Sequence, residues 1–415
     1  MISFEEFTLG NGLRVIVHED PSVQIAVMNI LYDVGSRDER EDKTGFAHLF
    51  EHLMFGGSKN IPNYDEPLQK VGGENNAFTN TDITNYYLTL PAANIETGFW
   101  LESDRMLSLS FDSQVLEVQR KVVIEEFKQR YLNQPYGDVW LKLRPLAYTT
   151  HPYKWATIGK EVSHIENATL DDVKEFFFSH YVPNNAILVV AGNVTVKLVR
   201  ELSEKWFGPI SSGPPRKRGL PLEPVQKKKR VAYVKANVPA HAFYKAYHTP
   251  GRFHDDYYAL DLLSDILSRG QSSRLYNRLV KEKEIFTSIS SFLTGTIDPG
   301  LFVVSGRLRE GIAMKQAEEE VDAVLQEMVK HGPHEDELVK VKNQAYSTLE
   351  FGEVEVMNRA MTLAFAKLSG DADLVNREGT MIDAVTLKDI QRLAGEILRE
   401  ESSSVLYYQA NTSAN

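Results

Sequence analysis

Cysteine is absent from all 415 residues. Disulfides, thiol nucleophiles and thiolate metal ligands are therefore excluded, and a transition metal would have to be held by His, Asp or Glu. No apolar run approaches the ~18 residues of a membrane-spanning helix, so no membrane partner is expected. The start, Met1 to Glu6, lacks the basic residues and apolar stretch of a secretory leader. Cytoplasm is the expected compartment, with periplasm the alternative if a leader has been removed. Cationic surface is also short: 46 Lys and Arg against 57 Asp and Glu give a net charge of −11. That balance argues against a nucleic-acid partner, which needs clustered Lys and Arg.

What is present suits a globular protein of more than one domain, because 415 residues exceed what a single core usually supports. A Pro-rich segment, 209–227, reads as a linker between residues 1–208 and 228–415. Its cations Arg216, Lys217, Arg218 and Lys227 to Arg230 read as a solvated linker surface. The two halves resemble one another. Thr169-Leu170-Asp171-Asp172 opens a helix leading to the strand Ile187 to Val190, and Thr386-Leu387-Lys388-Asp389 opens one leading to Val405 to Tyr408. Ala26 to Gly35 and Ala242 to Gly251 are β-rich runs at nearly the same offset. A repeat this long is a duplicated domain. The expected fold is α+β: two tandem homologous domains, each a mainly antiparallel sheet with helices packed on one face.

The strongest chemical signal lies between Thr44, a plausible N-cap, and Gly56-Gly57, a plausible stop. Phe46, Ala47, Leu49, Phe50, Leu53, Met54 and Phe55 make this helix apolar on every side, as a buried helix is. Yet His48, Glu51 and His52 occupy it at i, i+3 and i+4, on one face. Burying them unpaired would cost roughly 2 kcal/mol or more each. A zinc ion held by the two imidazoles resolves the conflict and leaves Glu51 beside a metal-bound water. The bland reading is a buried His–Glu–His hydrogen-bond cluster.

Catalytic zinc takes a third protein ligand. The stretch Val115 to Tyr131 reads as a helix whose buried stripe is Val115, Val118, Val122 and Val123. Glu126 falls in the middle of that stripe, Glu125 at its edge, and Glu117 faces solvent. Glu126 is the choice for the ligand, and Glu125 the alternative.

These residues resemble the pitrilysin and mitochondrial-processing-peptidase family, the inverzincins, with their inverted H-x-x-E-H motif. The resemblance covers the whole chain, including the distal Glu, the Pro-rich segment and a second half without a zinc motif. It implies one zinc per chain on His48, His52 and Glu126, with Glu51 as general base. Gly72 to Thr79 is similar to the family's edge strand, which implies that Asn76, Ala77 and Phe78 contact a peptide substrate added as an extra strand. Arg130 to Gly137 is similar to bacterial members. Two positions depart from the pattern. Gln119 stands seven residues before Glu126, where the family usually has a Glu that supports the metal ligands from behind. The Arg and Tyr that hold the substrate carbonyl in members active alone align with Val280 and Thr287, while Arg278 and Tyr276 are nearby in the wrong order. The resemblance therefore implies a zinc endopeptidase of short or unfolded peptides, completed by a homologous partner subunit in a heterodimer, with a homodimer in isolation. The alternative is a non-catalytic scaffold or peptide-binding member.

Overall fold

The computed structural model describes residues 1–215 and 218–411. Its contacts divide the chain into two compact units. The first comprises Met1–Lys128, Trp155–Leu220 and Glu350–Glu378; the second comprises Gln129–Lys154, Pro221–Leu349 and Gly379–Asn415. One passage between units, Leu220 to Pro221, falls inside the Pro-rich segment, but each unit also takes in a piece of chain from beyond it.

The first unit is built on a six-stranded sheet of β1 (Glu5–Thr8), β2 (Arg14–Glu19), β3 (Ile25–Tyr32), β4 (Glu74–Thr79), β5 (Thr84–Pro91) and β6 (Ala186–Gly192). The order is β1-β2-β6-β3-β5-β4, antiparallel except where β2 runs parallel to β6. β3 and β6 are buried at nearly every residue rather than at alternate ones. A strand buried without alternation has both faces covered. The helix Val356–Leu368, from the far end of the chain, packs on β6 and β3 and supplies part of that cover.

The second unit repeats the plan with β7 (Arg230–Ala236), β8 (Ala242–Thr249), β9 (Phe286–Leu293), β10 (Gly300–Leu308) and β11 (Ser403–Ala410). The order is β7-β11-β8-β10-β9, with β7 parallel to β11 and the rest antiparallel. Strand for strand this matches β2-β6-β3-β5-β4, so the two halves share one topology, as the repeated Thr-Leu-x-Asp signals imply. Thr169 and Thr386 each close a capping box, with Asp172 and Asp389 respectively, at the start of their helices.

The linker cations are not all solvated, contrary to expectation. Arg218 is anchored on Asp38 at 2.9 Å and Asp33 at 3.0 Å. Lys229 bridges Glu318 and Glu400, and Arg230 donates to the carbonyls of Leu146 and Ala147. Nearby acceptors recruit these three side chains, while Lys227 and Lys228 stay exposed. Arg216 and Lys217 lie outside the described residues. Among the described residues no helix is long and apolar enough to cross a membrane.

Candidate metal centre

The motif helix is short, Phe46–Leu53, and its N-cap is Gly45 rather than Thr44. Gly45 takes φ +87°, a conformation that L side chains rarely adopt. Thr44 turns away: its hydroxyl meets His164 Nδ1 at 2.8 Å and accepts the Lys160 N–H at 2.7 Å. Phe46, Ala47, Leu49, Phe50 and Leu53 are buried. Phe50 fixes the helix against an aromatic cluster, its ring 4.9 Å from Phe176 and 5.2 Å from Tyr181.

That packing turns the polar side of the helix towards the helix Ser113–Phe127. The Nε2 atoms of His48 and His52 lie 3.5 and 3.4 Å from one oxygen, Oε2 of Glu126. The two rings stand at 88° with centroids 4.9 Å apart, and the three ligand atoms lie within 4.8 Å of one another. Two imidazole nitrogens and one carboxylate oxygen form the donor set of an open zinc site, so the residues fit the ion. All three side chains keep some exposure, 13% for His48, 24% for His52 and 16% for Glu126. The site is therefore reachable.

Glu126 arrives by a different helical face from the one expected. Val118 and Val122 are exposed, and the buried residues of the helix are Leu116, Val123 and Phe127. The buried stripe does not follow the four valines, because β-branched residues mark apolarity but not which side the neighbours occupy. Glu126 sits at the margin of the true stripe, adjacent to Val123 and Phe127. Glu125 is exposed and ion-paired with Lys128 at 2.8 Å. Gln119 lies seven residues earlier, within about 20° of Glu126 on the helix, and is half-buried.

Glu51 is half-buried beside the cluster. Burial and the nearby Glu126 carboxylate push its pKa up, while the neighbouring Thr79 and His52 pull it down. Thr79 ends β4, the last strand of its sheet, whose outer edge pairs with no strand among the described residues. The Ala77 N–H is turned to that edge and is held by the Asn76 side chain at 2.8 Å. In an antiparallel ladder outward N–H groups recur every second residue, so Asn75, Ala77 and Thr79 present theirs along one line that ends at Glu51. Phe78 is 38% exposed.

Two buried charged groups near this helix carry no sequence signal. Arg105, 1% exposed, pairs with Glu102 at 2.6 Å and lies over the Tyr86 ring at 4.3 Å. Glu39, 7% exposed, accepts the N–H groups of Gly45 and Ala47 at 2.9 and 2.8 Å. Glu39 belongs to the run Glu39-Arg40-Glu41-Asp42-Lys43, which reads as a solvated charge cluster, so no local signal marks it.

Comparison with known proteins bears on this geometry. Residues 14–153 match the insulinase family, peptidase family M16, and residues 167–345 match the peptidase M16 inactive domain. The zinc protease PqqE of Helicobacter pylori is 31% identical over 97% of this chain and 92% of its own. The chain belongs to peptidase family M16. The M16 relatives include a probable mitochondrial-processing peptidase subunit beta of Arabidopsis thaliana, 24% identical over 96% of this chain and 77% of its own. A crystal structure of a Helicobacter pylori protease superposes with a TM-score of 0.92 at 29% identity, covering 99% of this chain and 100% of that one. The inactive-domain match takes in much of the half that lacks the motif, and the insulinase match spans every residue of the His48–His52–Glu126 cluster.

Proposed function

We propose that this M16 chain is a zinc-dependent endopeptidase subunit acting on short or unfolded peptides. The reading is carried by one observation: His48, His52 and Glu126 converge within 4.8 Å while Glu51 stands on the same helix, against the free edge of β4. His48, His52 and Glu126 would hold the ion. Zinc bound there supplies a Lewis acid that polarises a peptide carbonyl and acidifies water.

The chain's own residues do the rest. The outward N–H of Ala77 pairs with the backbone of an extended peptide once Asn76 swings aside. Such main-chain pairing holds peptides regardless of most side chains. Phe78 lies against the substrate residue next to the reacting bond. Glu51 takes the proton of the attacking water and delivers it to the departing amine. Thr79, at the end of β4, lies beside the Glu51 carboxylate.

The oxyanion donors are missing from the expected positions. Val280 packs against the core of the second unit, and the Thr287 hydroxyl donates to the Arg307 carbonyl. Arg278 is paired with Glu327 at 2.5 Å. Loss of one such donor typically costs 10²–10³ in rate. A homologous partner subunit that carries Arg and Tyr would complete the site. The test is a fluorogenic-peptide assay of the pure chain, alone and with a candidate partner. The expected outcome is weak activity alone and a rise of about 10²-fold or more in the complex. Full activity from the single chain would contradict the complementation and direct attention to Arg278 and Tyr276.

A further inference from the structure

A helix leaves its first N–H groups without intrahelical partners. In the motif helix this matters doubly, since the helix is buried and water does not reach its first turn freely. The usual remedy is an oxygen on the N-cap side chain. Here that remedy is closed. The N-cap is Gly45, and a Cβ at this position would stand 2.7 Å from the Ile158 carbonyl oxygen and 2.8 Å from Ile165 Cδ1. Its φ of +87° disfavours any other residue as well. The tight approach that seats the start of the helix thus removes its cap.

Glu39 fills the gap from six residues upstream. One carboxylate oxygen accepts from Gly45 N and the other from Ala47 N. A buried carboxylate is expensive unless it meets donors or positive charge. Burial pushes the Glu39 pKa up, and the Ala47 and Gly45 amides, the Trp155 side chain and the positive end of the helix oppose it, rather than a lysine or arginine. The residue after Ala47 is His48. We infer that Glu39 is a positioning residue for His48, fixing the first turn of the motif helix so that the imidazole meets Glu126 and His52 in ligand geometry. His52, a turn later, is held by the packing of Phe50 and Leu53 and depends on Glu39 much less.

The inference rests on His48, His52 and Glu126 being the metal ligands, and the experiment keeps the two apart. Glu39→Gln preserves shape and one acceptor but turns an NH₂ group towards a backbone N–H. Zinc affinity of the folded apoprotein is measured by competition with a chelator, for the unsubstituted chain, Glu39→Gln and Glu39→Asp. The expected result is zinc binding weakened about 10–100-fold in Glu39→Gln, with a changed visible spectrum of the Co²⁺-substituted protein and faster hydrogen exchange at Ala47 and His48. Glu39→Asp, one methylene short, should be weakened too. A stabilising role alone would lower the melting temperature and leave the affinity and Co²⁺ spectrum of the folded protein unchanged. Unchanged affinity and spectrum in folded Glu39→Gln, with zinc on the unsubstituted chain, overturn the role of Glu39 only. No zinc on the unsubstituted chain overturns the metal assignment and this inference together. Rapid exchange of the Gly45 and Ala47 amides in the unsubstituted protein also overturns it, with no variant required.

Discussion

Glu51 occupies the position on which the proposed chemistry turns. It shares a helix face with two imidazoles, and its carboxylate lies beside Thr79 at the end of β4. An amide at this position keeps the shape but has no proton affinity to offer. Glu51→Gln should therefore bind zinc like the unsubstituted chain while kcat falls about 10²–10⁴-fold. Near-normal turnover by a zinc-loaded Glu51→Gln protein would remove Glu51 as the base. At this scale much of the site is legible in sequence. His48, Glu51 and His52 declare themselves because three polar groups at helical spacing conflict with an apolar helix. The valine pattern favours Glu126 over Glu125 but misplaces the buried stripe, since exposed Val118 and Val122 look the same as buried ones in a sequence. Glu39 is illegible because it caps the motif helix through the amides of Gly45 and Ala47, and backbone carries no sequence signature.

In the proposed function β4 is the element through which substrate geometry enters. Its inner edge is tied to β5 from Glu74 to Thr79, and its outer edge ends beside Glu51. Proline is tolerated best on edge strands and removes one donor. Ala77→Pro should leave folding and zinc content intact and lower kcat/KM for extended peptides about tenfold, the worth of one hydrogen bond. An unchanged kcat/KM would mean that peptides do not add to this edge. Other elements were readable to different degrees. The two capping boxes at Thr169 and Thr386 predicted helix starts and, with them, the duplicated topology. The transfer of Val356–Leu368 to the first unit was not readable. Its apolar residues fit any sheet, and only tertiary contact chooses between them.

Over the whole molecule, duplication of the fold has not duplicated the metal chemistry. The helix that follows β8, Tyr257–Ser268, carries Asp261, Ser264 and Asp265 at the i, i+3 and i+4 spacing and no histidine. Asp265 is committed to Arg269 at 2.8 Å. The second unit does gather Glu318, Asp322 and Glu400, which by proximity alone resemble a cation site. That place is taken by the fully buried Lys245, whose ammonium lies 3.2, 2.6 and 2.9 Å from the three carboxylates. A lysine so enclosed stays charged, since the carboxylates raise its pKa against the effect of burial. The chain should therefore bind a single zinc in spite of its two homologous halves. The decisive measurement is metal analysis of the purified protein after equilibration with zinc and removal of the unbound ion, set beside His48→Ala. The prediction is about one zinc per chain, falling towards zero in the variant, because one imidazole and a carboxylate do not retain the ion. A metal-free unsubstituted chain, or zinc undiminished in His48→Ala, would contradict the proposed centre.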